Sequence, residues 1–86
     1  MPRNTTEDEF ADACKQLRKD LQDAGIDDGH AAAGIGVSRP TLKRWSEKDH
    51  IPRQVVRDAY MDEIDRFRQG EFEELKKLKK VRGLTD

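Results

Sequence analysis

Apolar side chains near the start of this chain recur at Phe10, Cys14, Leu17, Leu21 and Ala24, in steps of 4, 3, 4 and 3. That spacing puts all five on one stripe of an α-helix and is incompatible with the period-2 pattern of a half-buried strand. Thr6-Glu7-Asp8-Glu9 ahead of it reads as a capping box, with the Thr6 hydroxyl accepting the Glu9 N–H. Gly25 is the expected left-handed stop, and Ile26 the apolar residue that follows such a stop. A first helix is therefore expected over 7–24.

The same reading continues along the chain. Asp27 and Asp28 are candidate N-caps for a short helix over 29–35, filled by Ala31, Ala32, Ala33 and Ile35 and ended by Gly36. Ser38 caps a third helix, with Pro40 in its first turn and an end by Asp49. Leu42 and Trp45 face inward; Arg39, Lys43, Arg44 and Glu47 face outward. Ile51-Pro52 marks a break, with Pro52 placed in the first turn of a fourth helix. Val55 or Val56, Ala59, Tyr60, Ile64 and Phe67 form its stripe. Gly70 interrupts it, and Phe72, Leu75, Leu78 and Val81 continue as helix until Gly83. No segment alternates like a strand. The expected fold is all-α: four to five helices, a central helix-turn-helix and an extended C-terminal helix.

Only 34% of the 86 residues are hydrophobic, whereas 41% are charged. One domain of this size buries little surface. Residues 1–57 are read as a head and 58–86 as a helical extension. Tyr60, Ile64, Phe67, Phe72, Leu75 and Leu78 run past the head, where a lone helix would expose them. They are assigned to the interface of a homodimer. A hairpin within one chain, bent at Gly70, is the alternative.

The lone Cys14 falls in an apolar register and is expected to be a buried small hydrophobe. No metal spacing, phosphate loop or nucleophile–base set is present, so no cofactor, metal, small-molecule substrate or enzymatic activity is expected. The carboxylates Asp62, Glu63, Asp65, Glu71, Glu73 and Glu74 lie on a solvated pattern, without the apolar pocket an acid–base pair needs. His30 is expected at an exposed helix start. With no signal peptide and no run approaching about 18 apolar residues, a cytoplasmic protein without a membrane partner is expected.

Net charge is −1, but it is segregated. Residues 1–36 are net −4, 37–57 net +4, 58–74 net −5 and 75–86 net +4. Blocks of this kind imply separate surfaces with separate partners. The basic block 37–57 coincides with the steep turn between helices 2 and 3. Such a turn needs a small contact residue (Ala32), a residue tolerating positive φ (Gly36) and apolar wedges (Val37, Leu42, Trp45). A thin helix with a basic outer face fits a major groove, which points to duplex DNA.

Asp28 to Glu47 resembles the helix-turn-helix of phage Cro-type and XRE-type repressors, through Ala32, Gly36-Val37-Ser38, Thr41-Leu42 and Trp45. The MerR and excisionase group is similar through Gly36 to Pro52, and terminase small subunits at Ser38 to Trp45. The resemblance implies a sequence-specific regulator, with repression as the expected outcome, in which a dimer on a two-fold operator occludes a promoter. Arg39, Lys43 and Arg44 are then candidate base or phosphate readers, and Ser38, Thr41, Lys48 and Arg53 candidate backbone contacts. Contact with about five phosphates implies a salt slope of about −4 to −5 in log K against log[salt]. Glu47 and Asp49 are expected to pair with Lys43 and Lys48. A part of a non-transcriptional DNA machine, terminase or excisionase, and a helical protein-interaction module are the alternatives. The basic run Lys76, Lys77, Lys79, Lys80 and Arg82 is expected to touch either a partner helix or DNA.

Overall fold

The computed structural model describes residues 4–85, and the side chains of residues 4–78. It contains five helices: α1 (Glu7–Asp23), α2 (Asp28–Ile35), α3 (Arg39–Ser46), α4 (Gln54–Gln69) and α5 (Glu71–Thr85). No strand occurs among the described residues, so the all-α expectation holds. No helix among them is long and apolar enough to cross a membrane.

Local chemistry explains the first three helices. Thr6 caps α1 by accepting the Glu9 N–H at 3.1 Å. The Glu9 carboxylate returns to the Thr6 hydroxyl at 3.2 Å. Gly25 takes φ 71° beyond the last turn. This lets Ile26 N–H reach the Leu21 carbonyl at 2.8 Å and lay its side chain on the core. Asp27 caps α2 by accepting the Gly29 N–H at 2.6 Å. Burial drives the Cys14 thiol up to about 12, which makes it an inert packing group.

The third and fourth helices depart from expectation at their junction. Helix α3 stops at Ser46, within the expected limit of Asp49. Lys48 and His50 then take left-handed conformations, with φ of 59° and 53°. Neither is glycine, so no sequence signal marks the turn. The loop is consequently longer than expected. Pro52 precedes α4 rather than lying in its first turn, and Arg53 is the N-cap. At the other end, α5 runs through Gly83 to Thr85.

The larger correction concerns residues 58–75. Ile64, Phe67 and Phe72 are buried, at 2–5% exposure, in the same core as Phe10, Leu17, Leu21, Ile35, Leu42 and Trp45. Tyr60 and Leu75 pack against that core in part. The tilted rings of Trp45 and Tyr60 sit 5.0 Å apart, and an edge contact links Trp45 to Phe10 at 5.1 Å. The sequence pattern places these side chains at a dimer interface, because a lone helix would expose them. Helices α1 and α2 cover them.

Two small residues make that cover possible. A Cβ at Gly34 of α2 would lie 2.7 Å from the Phe67 ring, so only glycine admits the ring there. Gly70, at φ −118° and ψ −91°, breaks the path from α4 to α5. That break brings Phe72 to 5.9 Å from Phe67. Leu78 stays 58% exposed, so it alone of the six assigned residues remains on the surface. The expected 57/58 division falls inside α4, and one core runs through both parts.

Candidate nucleic-acid interface

Gly36 ends α2 in the left-handed region at φ 85°. Its own N–H and that of Val37 both turn back to the Ala32 carbonyl, at 2.9 and 2.8 Å. Ala32 is itself 2% exposed, which lets the chain reverse closely over α2. Ser38 then starts α3, its Oγ accepting the Thr41 N–H at 3.3 Å and meeting Thr41 Oγ1 at 2.8 Å. The two hydroxyls expected to touch a DNA backbone therefore already bond each other, and both lie at the first turn of α3.

The register of α3 sorts its side chains by face. Leu42 and Trp45 point into the core, 0% and 7% exposed. Lys43 and Arg44 are exposed and have no ion-pair partner among the described residues. Helix α3 contains no acid at all between Arg39 and Ser46. Arg53, at the N-cap of α4, is exposed as well and makes no capping bond.

The remaining expected contacts are engaged elsewhere. Arg39 Nη2 pairs with Asp27 Oδ1 at 2.9 Å. Lys48 pairs with Asp8 in the first turn of α1, and that carboxylate, reinforced by Glu7 and Asp12, raises the lysine's pKa. The expected partners of Lys43 and Lys48 are thus corrected. Asp49 pairs with His50 at 2.8 Å, and Asp8 reaches Lys48 from a helix 40 residues away in sequence. Arg57, counted in the basic block, is also withdrawn from the surface. Its Nε donates to the Thr5 carbonyl at 2.9 Å and its Nη1 to the Pro52 carbonyl at 2.7 Å. Lys79, Lys80 and Arg82 of the expected basic tail lie outside the described side chains.

One positioning residue escaped the sequence reading. Arg18 of α1 donates to Asp28 at the start of α2 (3.0 Å) and to Ser46 at the end of α3 (2.8 Å). Ser46 in turn donates to the Lys43 carbonyl at 2.6 Å. A single guanidinium therefore ties three helices together and fixes where α3 lies. Its partners are 10 and 28 residues away, so no local pattern announces it. His30 is exposed, as expected for a helix start. The described residues bring together no group of three or more metal-ligating side chains.

The open groove beside the turn is lined by Asp27, Gly29, His30, Ala32, Ala33, Val37 and Arg39. It is shallow, and nothing in it pairs a nucleophile with a base. The surface offers charge and hydrogen-bond donors. Comparison with family models, with curated proteins and with solved structures finds no match for this chain.

Proposed function

We propose that this chain binds duplex DNA sequence-specifically, with α3 in the major groove, as a transcriptional regulator of phage or mobile-element type acting by repression. One observation carries the reading. Helix α3 is anchored by Leu42 and Trp45 on one side and presents Lys43 and Arg44, free of acidic partners, on the other. Backbone phosphates attract such cations whatever the sequence, and groove-edge contacts discriminate among bases. Lys43 and Arg44 take the base-reading role, while Arg53 meets a phosphate at the start of α4.

A repressor on a two-fold operator needs two heads. Leu78, exposed on α5, is where a second copy would meet the first. A second reading gains support from the same burial that overturned the larger interface. A chain that covers Ile64, Phe67 and Phe72 by itself needs no twin to fold. That suits a DNA-binding part of a larger machine, such as an excisionase or terminase small subunit.

Selection of bound sequences from a random duplex pool, followed by anisotropy titrations at several salt concentrations, tests the reading. With Lys43, Arg44 and Arg53 free, about three phosphates are neutralised and the slope is about −3, shallower than five cations would give. A flat salt response removes DNA as the ligand. Sedimentation of the bound complex separates the readings: two chains per site for a repressor, one chain or a ring for a machine component.

A further inference from the structure

Arg39 sits at the first position of α3, and its guanidinium has a partner within the chain. It folds back across the start of α2. An ideal Cβ on Gly29 would lie 2.7 Å from both Nε and Nη2 of Arg39, so the side chain occupies a slot that glycine alone leaves open. At the end of that slot, Asp27 Oδ1 accepts from Arg39 Nη2 at 2.9 Å. The same oxygen accepts the Gly29 N–H at 2.6 Å. The carboxylate is thus fixed by its capping role and cannot follow the arginine away. Asp27 also lies at a helix N-terminus, where the positive end of the helix dipole favours its charge.

The pair is open to solvent, with side chains 65% and 55% exposed. A pair of that kind exchanges partners readily, whereas a buried one would be locked. Lys48 with Asp8 repeats the arrangement beyond the far end of α3, again with the acid at the N-terminal end of a helix. Each carboxylate holds a cation of the kind that phosphate attracts.

We propose that Asp27 is an intramolecular competitor for DNA phosphate at Arg39, limiting the sequence-independent part of DNA binding. The inference rests on the DNA reading above. The guanidinium is held on Asp27 in the Gly29 slot, and that carboxylate withholds it from phosphate in the wild-type complex. Lys43 and Arg44 carry no such internal partner, so base reading is not taxed in the same way.

A double-mutant cycle tests it. Asp27→Asn keeps the cap, because Asn caps helices as well as Asp, and removes the charge. Affinity for both selected and scrambled duplexes is expected to rise about threefold, the range an exposed ion pair allows. The salt slope is expected to steepen by about one unit, as one further cation reaches phosphate. In an Arg39→Ala background the same change should give no more than a residual gain. Gly29→Ala supplies a second variant with no change of charge: its Cβ crowds the guanidinium out of the slot and should tighten binding in the same Arg39-dependent manner. An equal gain with and without Arg39 means that Asp27 acts only through its general charge, and overturns the proposal while leaving DNA binding intact. No gain in either background overturns it too. If the wild-type chain shows no salt-dependent binding to any duplex, the DNA reading fails and this inference with it.

Discussion

The eight-residue α3 and the sixteen-residue α4 both carry cations, but in different company. Helix α3 has no acid within it, and its Lys43 and Arg44 stand exposed and unpaired. Helix α4 is interleaved with Asp58, Asp62, Glu63 and Asp65, and its arginines are engaged. Arg57 holds the Thr5 and Pro52 carbonyls, Arg66 pairs with Glu63 at 2.9 Å, and Arg68 pairs with Asp20 of α1 at 2.8 Å. Every arginine of α4 has a partner, whereas in α3 only Arg39 does. A basic block in a sequence is therefore not yet a basic surface. What decides is whether a carboxylate or carbonyl lies within reach once the chain is folded.

The strongest way to break this contrast is to ask whether α4 belongs to the fold at all. Phe67 is 4% exposed, wedged between Gly34 of α2 and Phe72 of α5. Phe67→Ala should cost about 3–5 kcal/mol in urea unfolding. That is a large share of the 5–15 kcal/mol, roughly, that holds a small domain together. The loss caused by Phe67→Ala should be the same at low and high protein concentration. A loss that changes with concentration would return Phe67 to an interface between chains.

Lys43→Ala and Arg44→Ala probe the other side of the comparison. Each should leave the melting temperature within a degree or two, roughly, because neither side chain has a partner to lose. Each should weaken binding to a selected duplex by about 1–3 kcal/mol where it reads a base, with relaxed preference at one base pair. Arg66→Ala, equally exposed but on α4 and paired with Glu63, should leave binding unchanged in the same anisotropy titration. Equal losses from all three would erase the distinction between the helices.

Much of α1 to α3 was readable because its determinants are local. The 3-and-4 stripe from Phe10 to Ala24, the Thr6, Asp27 and Ser38 caps, and the stops at Gly25 and Gly36 each involve residues within a few positions of one another. The start of α4 was misplaced because Lys48 and His50 adopt the left-handed conformation without glycine. Cover for Ile64, Phe67 and Phe72 was not readable for another reason. An apolar stripe looks the same whether it meets its own chain or a second copy, and Gly34, the residue that admits Phe67, is one small residue among several in α2. The face carrying Lys43 and Arg44 was legible from helical register alone. The withdrawal of Arg39, Lys48 and Arg57 was not, since their partners lie 12, 40 and 52 residues away.

Gly36→Ala sharpens the comparison from the turn that presents α3. A Cβ there meets nothing within 4 Å, so the substitution adds no crowding. Its whole cost is the φ of 85°, which an L-residue with a Cβ reaches only at about 1–2 kcal/mol. Urea unfolding should show that loss. Duplex affinity, measured well below the unfolding midpoint, should fall by less than about twofold if the turn keeps its shape. A larger loss of affinity than of stability would mean that the alanine re-aims α3 rather than straining it.

The smallest effect concerns the acid that receives Arg68. The Arg68 hydrogen bond, aided by one from Gln16, lowers the Asp20 pKa from its ordinary 3.8. A carboxyl whose folded pKa is depressed binds protons less readily in the native state than in the unfolded chain. Its contribution is therefore complete above the unfolded value, near 3.8, and is lost as the pH falls through the lower, folded value. The pair is partly open to solvent, which holds the effect below about 1 kcal/mol. Arg68→Met keeps much of the apolar stem and deletes the charge. At pH 7 the variant should unfold at a slightly lower urea concentration than the wild type. The gap should close as the pH is lowered from 3.8 and Asp20 protonates in both. Gln16 still donates to Asp20 at 2.9 Å in the variant, so its own acid sensitivity should be reduced rather than absent. A gap that stays constant across that range would show that Arg68 supports α4 by packing alone, and would remove it from the cations that α4 engages through charge.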